Sequence, residues 1–168
     1  CHQQGSLGAA SPQPGFQMLS PEETNITFNN RIEDSDTFNL MTYYYLYNGG
    51  GVAAGDLNRD GLDDLVFAGN LVPSRLYLNQ GNMQFEDITV ASGFEINAWV
   101  MGVSMVDING DGWLDIYLSV GGPDCPQACR NLLFINQGVC EDGQLCFEEA
   151  AEAYGLADPS YSVQASFL

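Results

Sequence analysis

The chain reads as an all-β protein. It is a β-propeller of four-stranded blades, with about two blades and the start of a third visible in the sequence. Three observations carry this reading. First, an acidic run Asp56-Leu57-Asn58-Arg59-Asp60-Gly61-Leu62-Asp63-Asp64 returns as Asp107-Ile108-Asn109-Gly110-Asp111-Gly112-Trp113-Leu114-Asp115, with oxygen side chains at its first, third, fifth and ninth places and glycine at its sixth. Second, each run passes into a short β-branched and aromatic stretch, residues 64–69 and 115–120, that reads as strand. Third, further landmarks recur around each run, so that each unit holds four strand-like pieces, the composition of a propeller blade.

In chain order, residues 1–15 form a tether. Cys1 leads into a stretch of Gly, Ser, Pro and Gln typical of flexible linkers. A mature chain that opens on cysteine and continues in this way resembles a bacterial lipoprotein, with Cys1 acylated. The competing reading is an arbitrary chain start or an unpaired thiol. Residues 16–48 form a lead-in segment expected to pack on the propeller and to supply a closing strand. Its cluster Tyr43-Tyr44-Tyr45-Leu46-Tyr47 is read first as core, because each ring buries a large area, and second as a platform for stacking a ligand. Asn25-Ile26-Thr27 matches the glycosylation sequon, which carries little weight in a bacterial chain.

The first repeat spans 49–98. Gly51-Val52-Ala53-Ala54-Gly55 precedes its acidic run, and Leu76-Tyr77-Leu78-Asn79-Gln80-Gly81 and Phe85-Glu86-Asp87-Ile88-Thr89 follow. The second repeat spans 99–160, with Gly102-Val103-Ser104-Met105-Val106, Leu133-Phe134-Ile135-Asn136-Gln137-Gly138 and Phe147-Glu148-Glu149-Ala150-Ala151 in the matching places. Residues 161–168 match the strand before each run, so they are expected to open a third repeat whose acidic loop would begin one residue past Leu168. On that expectation the sequence is part of something longer, and two blades with a stub would leave strand edges uncovered.

The acidic runs have the chemistry of a calcium site. Calcium takes six to eight oxygens at about 2.3–2.6 Å, and a sharply coiled loop can supply them from alternate residues. The side-chain donors are Asp56, Asn58, Asp60 and Asp64 in the first loop and Asp107, Asn109, Asp111 and Asp115 in the second. Plain Asp/Asn/Gly turns are the bland alternative, but two copies with the same oxygen positions favour the ion. An EF-hand opens in the same way, yet it needs a bidentate Glu at its twelfth place and a helix on each side. Here Phe67 and Leu118 hold that place and both flanks read as strands.

Charge and cysteine usage bound the function. With 4 basic and 22 acidic residues the net charge is −18, which argues against nucleic acid, whose binding rests on Lys and Arg contacts to phosphate. It also argues against docking of the polypeptide on an anionic membrane surface. Beyond the six loop aspartates the remaining acid is read as solvated surface. Cys125 and Cys129 fall between the second and third strands of their blade, Cys140 and Cys146 between its third and fourth. These connections lie at opposite ends of strands about 17–20 Å long, whereas a disulfide needs Cα atoms within about 7 Å. The expected pairs are therefore Cys125–Cys129 and Cys140–Cys146, in preference to one zinc site of four thiolates. Disulfides place the chain outside the cytoplasm. His2 is the only histidine, so no Ser/His/Asp or Cys/His catalytic set can form within this sequence.

Taken together, Gly51–Leu65, Leu76–Gly81 and Phe85–Thr89 resemble the FG-GAP/VCBS repeat, and more narrowly the cartilage-acidic-protein-like (ASPIC/UnbV-associated) lipoproteins of Bacteroidetes. The resemblance covers residues 16–168. It implies a ring of about seven blades with calcium held between the first two strands of a blade. It adds the backbone carbonyls of Leu62 and Trp113 to the two ligand sets. The function expected is a calcium-stabilised binding or scaffold module at the bacterial outer membrane, anchored through Cys1. Its partner would be a protein or glycan, with the module serving as an accessory subunit of an outer-membrane complex of the SusC/SusD type. No enzyme activity is expected. The alternative is a glycan-processing enzyme whose catalytic residues lie mostly outside this stretch, with Glu86 and Glu148 as its nearest candidate acids.

Overall fold

The computed structural model describes residues 15–123, 129–141 and 143–168. It is all-β apart from one short helix. Strands β1 (Val52–Gly55), β2 (Asp64–Phe67), β3 (Arg75–Asn79) and β4 (Phe85–Asp87) form one antiparallel sheet in chain order. Strands β5 (Val100–Val106), β6 (Asp115–Val120), β7 (Leu132–Val139) and β8 (Leu145–Glu149) form a second sheet of the same order. Two successive four-stranded antiparallel meanders with their first strands side by side are the arrangement of adjacent propeller blades.

Alternation along the strands decides which face each residue serves. In β6, Ile116 and Leu118 point into the space between the sheets, while Tyr117 points the other way. The first set joins Val66, Leu76, Phe94, Val103, Phe134 and Phe147 in a continuous core between the blades. The second joins Leu133 and Ile135 under Leu156, Ala165 and Phe167. The second sheet is thus covered on both faces, and every residue of β6 is buried. Close approach of the first strands needs glycine. A Cβ on Gly51 would stand 2.9 Å from the nitrogen of Val103, and one on Gly102 would stand 2.4 Å from the carbonyl oxygen of Val163. Residues 163–165 therefore lie beside β5 as β5 lies beside β1. They form no regular ladder, and Ser104 Oγ donates to the carbonyl of Ala165 at 2.9 Å.

The lead-in segment departs from expectation. It contains the four-residue helix α1 (Pro21–Thr24), ended by Asn25 at φ 61°, and then turns; it has no strand. The reason is local. Ser35 Oγ accepts from the backbone N–H of Phe38, Asn39 Oδ1 accepts from that of Met41, and Asn39 Nδ2 donates to the carbonyl of Ser35. Such side-chain bonds compete with a ladder. The segment is pinned to the sheets by Phe28 stacked on Phe67 with centroids 5.1 Å apart, and by Asn30 Nδ2 donating to Asn70 Oδ1 at 2.7 Å. The tyrosine cluster is not chiefly core. Leu46 is fully buried beside Trp99 and Met101, and Tyr43 is half-buried there, but Tyr44, Tyr45 and Tyr47 are 77%, 53% and 56% exposed.

Candidate metal centre

The β1–β2 and β5–β6 hairpins carry the acidic runs, and strands flank both of them. Their internal hydrogen bonds repeat with one exception, the bond from Gly110 N–H to Asp107 Oδ1 (2.8 Å), which the second hairpin alone makes. The Asp56 carboxylate accepts from the N–H groups of Asp60 (3.1 Å) and Gly61 (2.8 Å), and Asp107 accepts from Asp111 (3.0 Å) and Gly112 (2.8 Å). Asp60 Oδ1 accepts from Leu62 N–H and Asp111 Oδ1 from Trp113 N–H, each at 2.8 Å. Asn58 and Asn109 accept from the N–H groups of Asp60 and Asp111. They donate in turn from Nδ2 to the Oδ2 atoms of Asp60 and Asp111. This winding needs left-handed backbone at the fourth and sixth places. Arg59 and Gly61 have φ 62° and 86°, and Gly110 and Gly112 have 74° and 85°. Glycine is at ease there, while Arg59 holds the conformation under strain.

The ninth-place aspartates sit deeper. Asp64 and Asp115 are fully buried. Asp64 accepts from the N–H groups of Leu57 and Asn79, both at 2.8 Å; Asp115 accepts from those of Ile108 (3.0 Å) and Asn136 (2.9 Å). Each carboxylate thus ties its hairpin to the third strand of its blade. Burial raises both pKa values, opposed by these N–H groups and assisted by the neighbouring carboxylates of Asp60 and Asp56, or of Asp111 and Asp107. So in each loop the first- and fifth-place carboxylates lie close enough to repel the buried one.

In this conformation no group of three or more acidic, imidazole or thiol side chains among the described residues closes tightly enough to hold an ion. The carboxylates are turned onto backbone N–H groups instead. The donor set is still of the hard-cation type, with three carboxylates and one carboxamide in each loop. A carboxylate oxygen that accepts one N–H bond also keeps lone-pair capacity for a second partner. The residues fit a hard divalent ion in chemistry, and the Leu62 and Trp113 carbonyls stand at the seventh place of the two windings.

Sequence reasoning missed three side chains here. Asn79 and Asn136 were visible as repeat landmarks but had no role. Asn136 Nδ2 donates to the carbonyl of Leu57 in the other blade (2.9 Å) and to that of Leu114 (3.2 Å), and its Oδ1 accepts from Gly138 N–H. Asn79 makes the local pair of bonds, to the Asp63 carbonyl and from Gly81 N–H. Arg59 crosses between the hairpins. Its Nε donates to the carbonyl of Gly112 (3.0 Å) and its Nη2 to that of Asp111 (2.8 Å), with the guanidinium 4.2 Å from the centre of the Trp113 ring.

Away from the hairpins, Cys140 and Cys146 form a disulfide with Cα atoms 6.1 Å apart. Cys1 and Cys125 lie outside the described residues, so neither the Cys1 anchor nor the Cys125–Cys129 pair is described. Glu86 and Glu148 are exposed on β4 and β8, the last strands of two different sheets. No helix among the described residues is long and apolar enough to cross a membrane.

Comparison with known families places an FG-GAP-like repeat at residues 56–118, from the first acidic loop to β6. No curated protein matches the chain.

Proposed function

We propose that this chain is a calcium-stabilised β-propeller module that works outside the cytoplasm as a binding or scaffold unit. The observation that carries the reading is an all-oxygen hairpin that recurs in two successive blades with all but one of its hydrogen bonds in common, each with a buried carboxylate repelled by its own neighbours. A divalent ion in each loop would offset that repulsion and brace the blade at its inner end. Asp56, Asn58, Asp60 and Asp64, with Leu62 O, would hold one ion. Asp107, Asn109, Asp111 and Asp115, with Trp113 O, would hold the other. The Cys140–Cys146 disulfide supports an oxidising compartment. The charge of −18 supports a protein or glycan partner over nucleic acid. A cell-envelope complex is the setting that fits these features together.

The test is thermal melting with millimolar calcium against excess chelator. An ion present at a hundred times its dissociation constant stabilises by about 2.7 kcal/mol per site. Two sites should then raise Tm by about 10 °C or more in a chain of this size. A melting curve that ignores the chelator overturns the calcium reading. Capture from native membranes, with and without calcium, tests the scaffold role; a partner retained equally in both conditions would separate it from the metal.

A further inference from the structure

We propose that Arg59 is a positioning residue for the second hairpin, and that through it the first metal site sets the affinity of the second. The inference rests on the calcium reading above. Arg59 stands at the fourth place of the first loop, between the third- and fifth-place donors Asn58 and Asp60, so an ion held there fixes the backbone that carries this side chain. The guanidinium then fastens the carbonyls of Asp111 and Gly112 and lies over Trp113. These two carbonyls are not in the proposed ligand set. The clamp therefore orients the peptides on both sides of Gly112 while leaving the Asp111 carboxylate and the Trp113 carbonyl for an ion.

Three details point to a specific device. The first is the choice of partner. The chain has 4 basic residues against 22 acidic ones. Arg31, Arg75 and Arg130 each reach a carboxylate, whereas Arg59, in the most acidic part of the molecule, spends its donors on backbone carbonyls. The second is clearance. A Cβ on Gly112 would come within 2.4 Å of Arg59 Nη2, while one on the matching Gly61 would meet nothing within 4 Å. The third is strain. Arg59 keeps φ 62° at a place where the second loop has Gly110, a cost that the side chain's reach across the blades gives a reason to bear.

Calcium titration by calorimetry tests this, using the whole chain. Arg59→Gly removes the clamp and relieves the backbone, so folding is not at risk from the substitution itself. The wild type should bind two ions. Arg59→Gly should bind two as well, with the second site weakened about tenfold, within the usual range of coupling between sites. Arg59→Lys keeps the charge but lacks the planar fork, so it should not restore the affinity. Asp60→Ala, which disables the first loop, should weaken the second site by the same factor, and adding Arg59→Gly to it should weaken that site no further. A second readout is optical. In Asp111→Ala, where only the first loop can fill, calcium should still change Trp113 emission, and Arg59→Gly should abolish that response. Two ions bound by Arg59→Gly with wild-type affinities, or a tighter second site, overturn the coupling and leave the calcium reading intact. A wild type that takes up no calcium overturns both.

Discussion

The two hairpins share all but one of their internal hydrogen bonds, yet the sheets that carry them are covered very differently. In the second sheet β5 lies between β1 and residues 163–165, and the first four residues of β5 are buried. In the first sheet, among the described residues, β1 has β5 on one side only, and Val52 is 62% exposed. The cross-links between these two blades are not matched either. Arg59 reaches forward from the first hairpin into the second, and Asn136 reaches back from the second blade to Leu57. A blade's internal geometry is thus set by its own nine-residue winding, while its rigidity is set by its neighbours. The loop is the repeated unit, and the interface between blades is what differs.

The largest effect should come from the buried carboxylates. Asp115→Ala removes two charge-assisted hydrogen bonds, each worth about 1.5–3 kcal/mol, and leaves buried N–H groups without a partner. A loss of about 4 kcal/mol is expected in denaturant melts. Asp64→Ala breaks the matching bonds and should cost about 1 kcal/mol less, because its partner Asn79 holds no bond to the other blade. Equal losses would mean that the cross-blade bond of Asn136 is not felt at Asp115.

The asparagines sharpen the contrast. Asn136 is 2% exposed and serves two carbonyls, one of them across the blade interface. Asn136→Ala should cost about 2–3 kcal/mol, since it orphans buried acceptors. Asn79→Ala, at a half-buried position with local partners, should cost about 1 kcal/mol. Next comes the disulfide, found only on the second blade. Its closing residues are 6 apart in sequence, and chain-entropy arguments give a small loop of this kind about 2 kcal/mol. Cys140→Ser with Cys146→Ser should lose that amount in the same denaturant melts.

The hairpins and blades were legible because their signals are local. Glycine at the sixth place, oxygen at alternate places and strand composition on both sides all lie within a dozen residues. The Cys140–Cys146 pair followed from the same local register. What escaped was set by distance in the sequence. Arg59 looked like an ordinary loop residue, since its partners lie more than fifty residues on. Asn136 carried only a hint, in the Asn-Gln-Gly landmark shared with Asn79. The lead-in segment was misread as holding a strand because its turns are built by Ser35 and Asn39 side chains, which leave no periodic trace. Ring size alone points its tyrosines toward the core, whereas tight turns between Asn39 and Asn48 direct only Tyr43 and Leu46 toward Trp99.

The smallest expected effect tests whether the hairpins are electrostatically alike. In the folded chain burial holds Asp64 and Asp115 above the usual carboxylate pKa, so without metal the folded state binds their protons more tightly than the unfolded state does. Ionising them at neutral pH therefore opposes folding, and the penalty fades as pH falls through the raised folded values toward the ordinary carboxylate range. The chelated protein should gain stability from these two groups on mild acidification. Exposed Asp158 and Glu22, whose pKa values are lowered by hydrogen bonds, act in the opposite direction. Comparison with Asp64→Asn and Asp115→Asn isolates the loop contribution. Each single change should remove about half of that slope of stability against pH, and the pair should remove all of it. With calcium present the sign reverses, because an ion favours the ionised carboxylates and protons then compete with it. The two melting series should converge as the solution is acidified. If one substitution alone flattened the chelated series, the hairpins would share hydrogen bonds without sharing a field, and the likeness between the blades would stop at their backbones.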